Sequence, residues 1–106
     1  MTPTRNSGDG DVSAIGVSVT QNLIPRPTTL YRVVVQKNDG TGTGPAHIID
    51  SPGVVNNSTN EILPIPQTTP IGTVITVNWP CLSGLGAVLD SSGLTLNFSY
   101  LIAPLG

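Results

Sequence analysis

The sequence predicts an all-β protein: an antiparallel β-sandwich of about seven strands, Ig-like or jelly-roll-like, with an extended N-terminal arm. Three observations predict it. Apolar residues, many of them β-branched, recur at every second position in several short runs. Turn-forming residues interrupt the chain between those runs. Ten prolines and twelve glycines in 106 residues leave no helical periodicity long enough to count. Two packed sheets bury strands of this kind better than one open sheet, and the core rests mainly on Val, Ile and Leu because aromatic residues make up only 4%.

Residues 1–11 carry no periodicity and form the arm, and residues 12–106 form the sandwich, a single domain of common size. From Val12, Ile15, Val17 and Val19 alternate with Gly16, Ser18 and Thr20, which predicts a first strand with those three side chains on one face. Pro25 and Pro27 mark a turn. Thr28 to Gln36 follows, with Tyr31, Val33 and Val35 on one face and Leu30, Arg32 and Val34 on the other. Both faces are partly apolar, which predicts a central strand. Asp39-Gly40 opens a Gly/Thr-rich loop and signals a hairpin to a return strand over Ala46 to Asp50. Glu61 to Ile65 is an edge strand, because Pro64 and Pro66 cannot donate ladder hydrogen bonds.

The best alternation comes late. Ile71, Ile75, Val77 and Trp79 share one face of a strand over Ile71 to Trp79, and Leu94, Leu96, Phe98, Tyr100 and Ile102 share one face of the last strand. Gly86 to Leu89 adds a short strand before the Asp90-Ser91-Ser92-Gly93 turn. The expected core is Val17, Val33, Val35, Ile75, Val77, Leu96 and Phe98.

Composition excludes several kinds of partner. Only 9% of residues are charged and the net charge is −2, so little repulsion keeps copies apart. Such a surface suits a subunit packed against neighbours. Arg5, Arg26, Arg32 and Lys37 are scattered and form no basic stripe, which argues against nucleic acid. No apolar run approaches the roughly 20 residues of a membrane-spanning helix. Met1 to Asp11 has no apolar core of a secretory signal, so none is expected, and synthesis in a host cytoplasm is.

Catalysis is not expected, and neither is a cofactor or a metal. One histidine, His47, cannot build an ordinary zinc site, and no nucleophile-elbow motif accompanies it, so it reads as structural. Asp9-Gly10-Asp11 lacks the further ligands of a calcium loop. Glu61 and Asp90 are the only carboxylates that a sandwich could bring near each other as a hydrolytic pair, and nothing in the sequence supports that pairing. Gly40 to Gly44 lacks the lysine and following helix of a phosphate loop. Cys81, between Pro80 and Leu82, reads as a small buried hydrophobe. The arm is the candidate binding element: Thr2, Pro3, Thr4 and Arg5 are proline-stiffened and need a partner to become ordered.

In texture the chain resembles the head decoration, or cement, proteins of tailed bacteriophages. The resemblance covers roughly Ile15 to Ile102. It lies in Leu30-Tyr31-Arg32-Val33-Val34-Val35, the loop Asn38-Asp39-Gly40-Thr41-Gly42, the strand ending Ile48-Ile49-Asp50, the edge Pro64-Ile65-Pro66 and the late Gly93-Leu94-Thr95-Leu96. It implies a virion structural protein on the capsid surface. Such a subunit binds the major capsid protein or other virion subunits, often as a homo-oligomer, and stabilises the shell. The alternative is a module of a fibre or spike that binds carbohydrate or a host surface. Carbohydrate sites favour solvent-facing aromatics, and with Trp79 and Tyr100 on core faces only Tyr31 is free to serve.

Overall fold

The computed structural model describes residues 11–53 and 60–102. The arm residues Thr2, Pro3, Thr4 and Arg5 lie outside the described residues, as do Asp9 and Gly10. Eight strands follow one another: β1 (Asp11–Val17), β2 (Gln21–Ile24), β3 (Thr28–Asn38), β4 (Ala46–Ile49), β5 (Glu61–Ile65), β6 (Val74–Cys81), β7 (Leu85–Val88) and β8 (Leu94–Ile102). No helix occurs among the described residues.

The first four strands fold back on the last four. β1 pairs with β8, β2 with β7, β3 with β6 and β4 with β5, all antiparallel. Two further pairings, β3 with β8 and β4 with β7, roll this long double ribbon into two sheets. Their orders are β1-β8-β3-β6 and β2-β7-β4-β5. That pattern is the eight-stranded jelly roll, one of the two variants the sequence left open. Between the sheets lie Leu30, Val33 and Val35 of β3, Leu94, Leu96 and Phe98 of β8, and Ile48, Ile65, Leu85 and Ala87 of the second sheet, all fully or almost fully buried.

Five of the seven expected core residues are buried: Val17, Val33, Val35, Leu96 and Phe98. Ile75 and Val77 point the right way but are only half-buried, because β6 is the edge of its sheet and nothing beyond it closes over them. Trp79, set opposite the buried Leu30, stays 49% exposed for the same reason. Ile71, expected on that face, is not in the strand at all. Pro70 to Thr73 forms a turn in which the Thr73 amide donates to the Pro70 carbonyl and Gly72 takes a φ of 91°.

Bulges explain the other departures. Gly16 has a φ of 73°, and three residue steps of β1, from Ala14 to Val17, oppose two of β8. A glycine in the left-handed region at such a point absorbs one extra residue and turns the following side chains over. Ile15, before the bulge, therefore faces solvent while Val17, after it, faces the core; Val19 is exposed in the β1–β2 turn, beyond the strand. In β3 an extra residue at Tyr31 puts Leu30 on the same face as Val33, where strict alternation had separated them. Strand β2 escapes detection because all four of its residues are half-buried and carry no apolar alternation. The Asp39-Gly40 loop is not a hairpin: β4 pairs with β5 and β7 rather than β3, so the loop crosses between the sheets.

Candidate functional site

A concavity of about 490 Å³ lies where three connections meet at one end of the sandwich. They are the β1–β2 turn, the β3–β4 crossover loop and the β7–β8 turn. The crossover loop is laced to the β7–β8 turn by backbone bonds, from the Asp39 amide to the Gly93 carbonyl at 3.1 Å and from the Thr43 amide to the Ser91 carbonyl at 2.7 Å. The approach is so close that glycine is required on both sides. A Cβ on Gly42 would sit 2.1 Å from the Ser92 carbonyl oxygen, and one on Gly93, where φ is 68°, would sit 2.2 Å from Asp39 Oδ1. The walls of the groove are thus held by backbone, not by mobile side chains.

Two carboxylates line it. Asp39 accepts from the Thr41 amide at 2.9 Å and the Thr41 hydroxyl at 2.6 Å, and these bonds hold its carboxyl below the ordinary aspartate value. Asp90 accepts from the Thr20 hydroxyl, whose oxygen in turn accepts from the Leu89 amide at 2.8 Å. Ser18, Thr43, Ser91 and Thr95 add hydroxyl groups, and Val19 and Leu94 give a small apolar floor. Such a lining suits a neutral polyhydroxylated ligand or a cationic side chain. It offers no aromatic platform.

A second hollow of about 270 Å³ shares Asp90 and Ser91 with the groove and adds His47 and Val88. His47, on β4, contacts the Glu61 carboxylate of neighbouring β5 through Nδ1, and both side chains are about 25% exposed. Of the two carboxylates weighed as a hydrolytic pair, Glu61 contacts His47 and Asp90 accepts from Thr20. Ser91 borders the same hollow as His47, but no hydrogen bond joins them, so the imidazole is oriented without being engaged to a nucleophile. No group of three or more metal-ligating side chains occurs among the described residues.

Cys81 is buried, and burial together with the nearby negative charge of Asp50 pushes its thiol up to about 12. Asp50 itself is structural. Its carboxylate accepts the backbone amides of Leu82 at 3.0 Å, Ser83 at 2.9 Å and Gly84 at 3.3 Å, pinning the β6–β7 turn.

The more informative surface is elsewhere. Among the described residues, the exposed large hydrophobic side chains are Ile15, Val19, Ile71, Val74, Trp79 and Leu82. Every one lies on, or within three residues of, β1 or β6, the two edge strands of the first sheet. Sequence reading missed this because it placed Ile15, Val19, Ile71 and Trp79 on core faces. Trp79, not Tyr31, is the exposed aromatic side chain. The groove was missed too, although Asp39-Gly40-Thr41 carries the usual signature of a side-chain-capped turn. Comparison with family models, with curated proteins and with solved structures finds no match.

Proposed function

We propose that this chain is a structural subunit of a virion, a decoration or cement protein that binds the assembled capsid lattice from outside and ties its subunits together. The observation that carries this reading is the placement of the exposed large hydrophobics along the edges of one sheet in a chain with only 9% charged residues. A surface like this is stable in solution but gains by being covered. The jelly roll adds an analogy of architecture, since viral capsid domains share it, and analogy of fold alone does not assign a function. The partner in this reading is the major capsid protein or a neighbouring virion subunit, and the role is binding rather than catalysis.

Sedimentation of a lysate from the native source tests it. The chain is expected to travel with a megadalton shell in many copies, and Leu82→Ser, which removes a side chain 77% exposed, is expected to lower its occupancy there. Recovery only in the slow fraction, as a free protein or small oligomer, overturns the proposal.

One observation favours a second reading, a module that binds carbohydrate on a host surface. The end groove presents two held carboxylates among hydroxyl groups, and lectins also use the jelly roll. Binding to a glycan array that is lost on Asp90→Asn supports this reading, and no binding to any glycan removes it.

A further inference from the structure

The outer face of the first sheet carries a hollow of about 250 Å³, centred on the inner strands β8 and β3. The registers say which side chains share it. Ser13 of β1 lies opposite Ser99 of β8, and Ser99 lies opposite Arg32 of β3. One row along, Asn97 of β8 lies opposite Val34 of β3. Their chain neighbours Val33, Phe98 and Tyr100 are buried, so these side chains point to solvent.

The chemistry of the lining is one-sided. Arg32 is exposed, brings five N–H donors, and forms no ion pair or hydrogen bond with any described residue. Asp39, Asp50, Glu61 and Asp90 are engaged elsewhere, with Thr41, the β6–β7 turn, His47 and Thr20. Asn97 is held in one orientation, because its Oδ1 accepts from the Gly16 amide at 2.8 Å where β1 bulges. That bond commits the oxygen and leaves the side-chain amide nitrogen, with its two donors, for a ligand. Ser13 and Ser99 add hydroxyl groups. Arg32 faces Ser99 directly and Asn97 diagonally, a spacing that a long side chain spans. Donors thus gather around a hollow whose lining holds no carboxylate.

We propose that this hollow docks the carboxylate of a glutamate or aspartate side chain from another protein chain. The Arg32 guanidinium donates to it as a fork, and Asn97 Nδ2 and the serine hydroxyls donate to its remaining lone pairs.

Size, charge and surroundings select that occupant. The hollow falls below the roughly 300–1,000 Å³ of pockets that enclose small molecules, yet it has room for one side chain. Arg32 is the one ionised residue of its lining, so it balances a single negative charge. A phosphate group carries nearly two at neutral pH and would stay partly uncompensated on a chain whose own net charge is −2. The rim is apolar. Ile15 is 74% exposed on one side, and Val74, 56% exposed, lies opposite Val34 on the other. These side chains gain by covering the methylenes and chain neighbours of a residue presented by a protein, which a free carboxylate anion lacks. A carboxylate docks there whether its bearer is a shell subunit or any other protein, so the virion reading does not depend on it.

An NMR titration of the isotopically labelled full chain with a capped valine–glutamate–valine peptide tests it. Saturable shifts at millimolar peptide are expected at the backbone amides of Ser13, Arg32, Asn97 and Ser99, as one exposed ion pair with a small apolar contact allows. Glutamine in place of the peptide's glutamate is expected to weaken binding about fivefold or more. Arg32→Gln, at an exposed position, is expected to do the same while keeping the β-type circular dichroism spectrum. Lys37→Gln removes the same charge from the same strand outside the hollow and is expected to leave binding within about twofold. No saturable shift up to the solubility of the peptide overturns the proposal, and so does equal binding of the glutamine peptide. A loss on Lys37→Gln as large as that on Arg32→Gln overturns it too, since the effect is then one of general charge. Inorganic phosphate that shifts the same amides at lower concentration than the peptide, at equal ionic strength, replaces the carboxylate as the ligand.

Discussion

Strand β3 is flanked by two strands of similar length and opposite circumstance, β8 and β6. Both alternate apolar and polar residues. In β8 the inward residues Leu94, Leu96, Phe98 and Tyr100 are all buried, with β1 on one side and β3 on the other. In β6 the inward residues Ile75 and Val77 are half-buried, and Trp79 is half in solvent, because one flank of the strand is open. Alternation determines which face of a strand is apolar. Lateral position determines how much of that face water can reach, and it depends on the order of strands in the sheet.

The largest effect that this comparison predicts is a difference between matched truncations. Phe98→Ala removes a fully buried ring from β8 and is expected to cost about 3–5 kcal/mol in a denaturant melt. Ile75→Ala removes an inward side chain of β6 and is expected to cost about 1–2 kcal/mol, well below the 2–5 typical of buried isoleucine. Equal losses would mean that the open flank of β6 is covered by something, most simply by another molecule, and dilution would then reduce the Ile75 effect alone.

Within β6 the contrast recurs over two residues. Trp79 is half exposed, whereas Cys81, beside the Asp50-pinned turn, is 2% exposed. Its thiol, raised from 9.0 to about 12 by burial and then by the charge of Asp50, stays protonated in the folded protein where the unfolded chain has already ionised. Between those values the unfolded state binds fewer protons than the folded one, so stability is fully present below pH 9 and declines towards pH 12. Native protein at pH 8 is accordingly expected to resist a thiol reagent that labels the urea-unfolded chain at once. Rapid native labelling would show that the end of β6 is as open as its middle.

How much of this was legible in the sequence divides along the same line. The class, the central position of β3, the edge position of β5 and the inward faces of β6 and β8 follow from period-2 spacing and from proline. What local spacing does not carry is an insertion that changes phase. Gly16 reads as one more small residue between Ile15 and Val17, yet the bulge at its positive φ sets Ile15 on the face opposite Val17. The extra residue at Tyr31 likewise moves Leu30 into the core. Nor does spacing say which strands become neighbours across the sandwich. The groove between Asp39 and Asp90 joins residues far apart in the chain, through loops whose only local mark is a run of Gly, Thr and Asp. Of the candidate site, His47 stands alone in the sequence, and its Glu61 partner depends on β4 lying beside β5.

The smallest expected effect is the sharpest test of the open flank. Val74 begins β6 opposite Val34 and is 56% exposed on the outer face. Val74→Thr keeps the branching at Cβ, and with it the strand preference, while replacing one exposed methyl with a hydroxyl. In an isolated chain that hydroxyl is hydrated as well in the folded state as in the unfolded one. The stability change is therefore expected to stay within about 0.5 kcal/mol, as for other exposed positions. If that face is covered in an assembly, the hydroxyl loses water without a designated acceptor, and the cost rises to about 1–3 kcal/mol. Melts of the variant at low and high protein concentration, and again when bound to a particle, separate the two cases. A penalty only in the assembled state maps the covered face onto the outer edge of β6. A penalty already present in the dilute monomer would contradict the open flank on which the contrast with β8 rests.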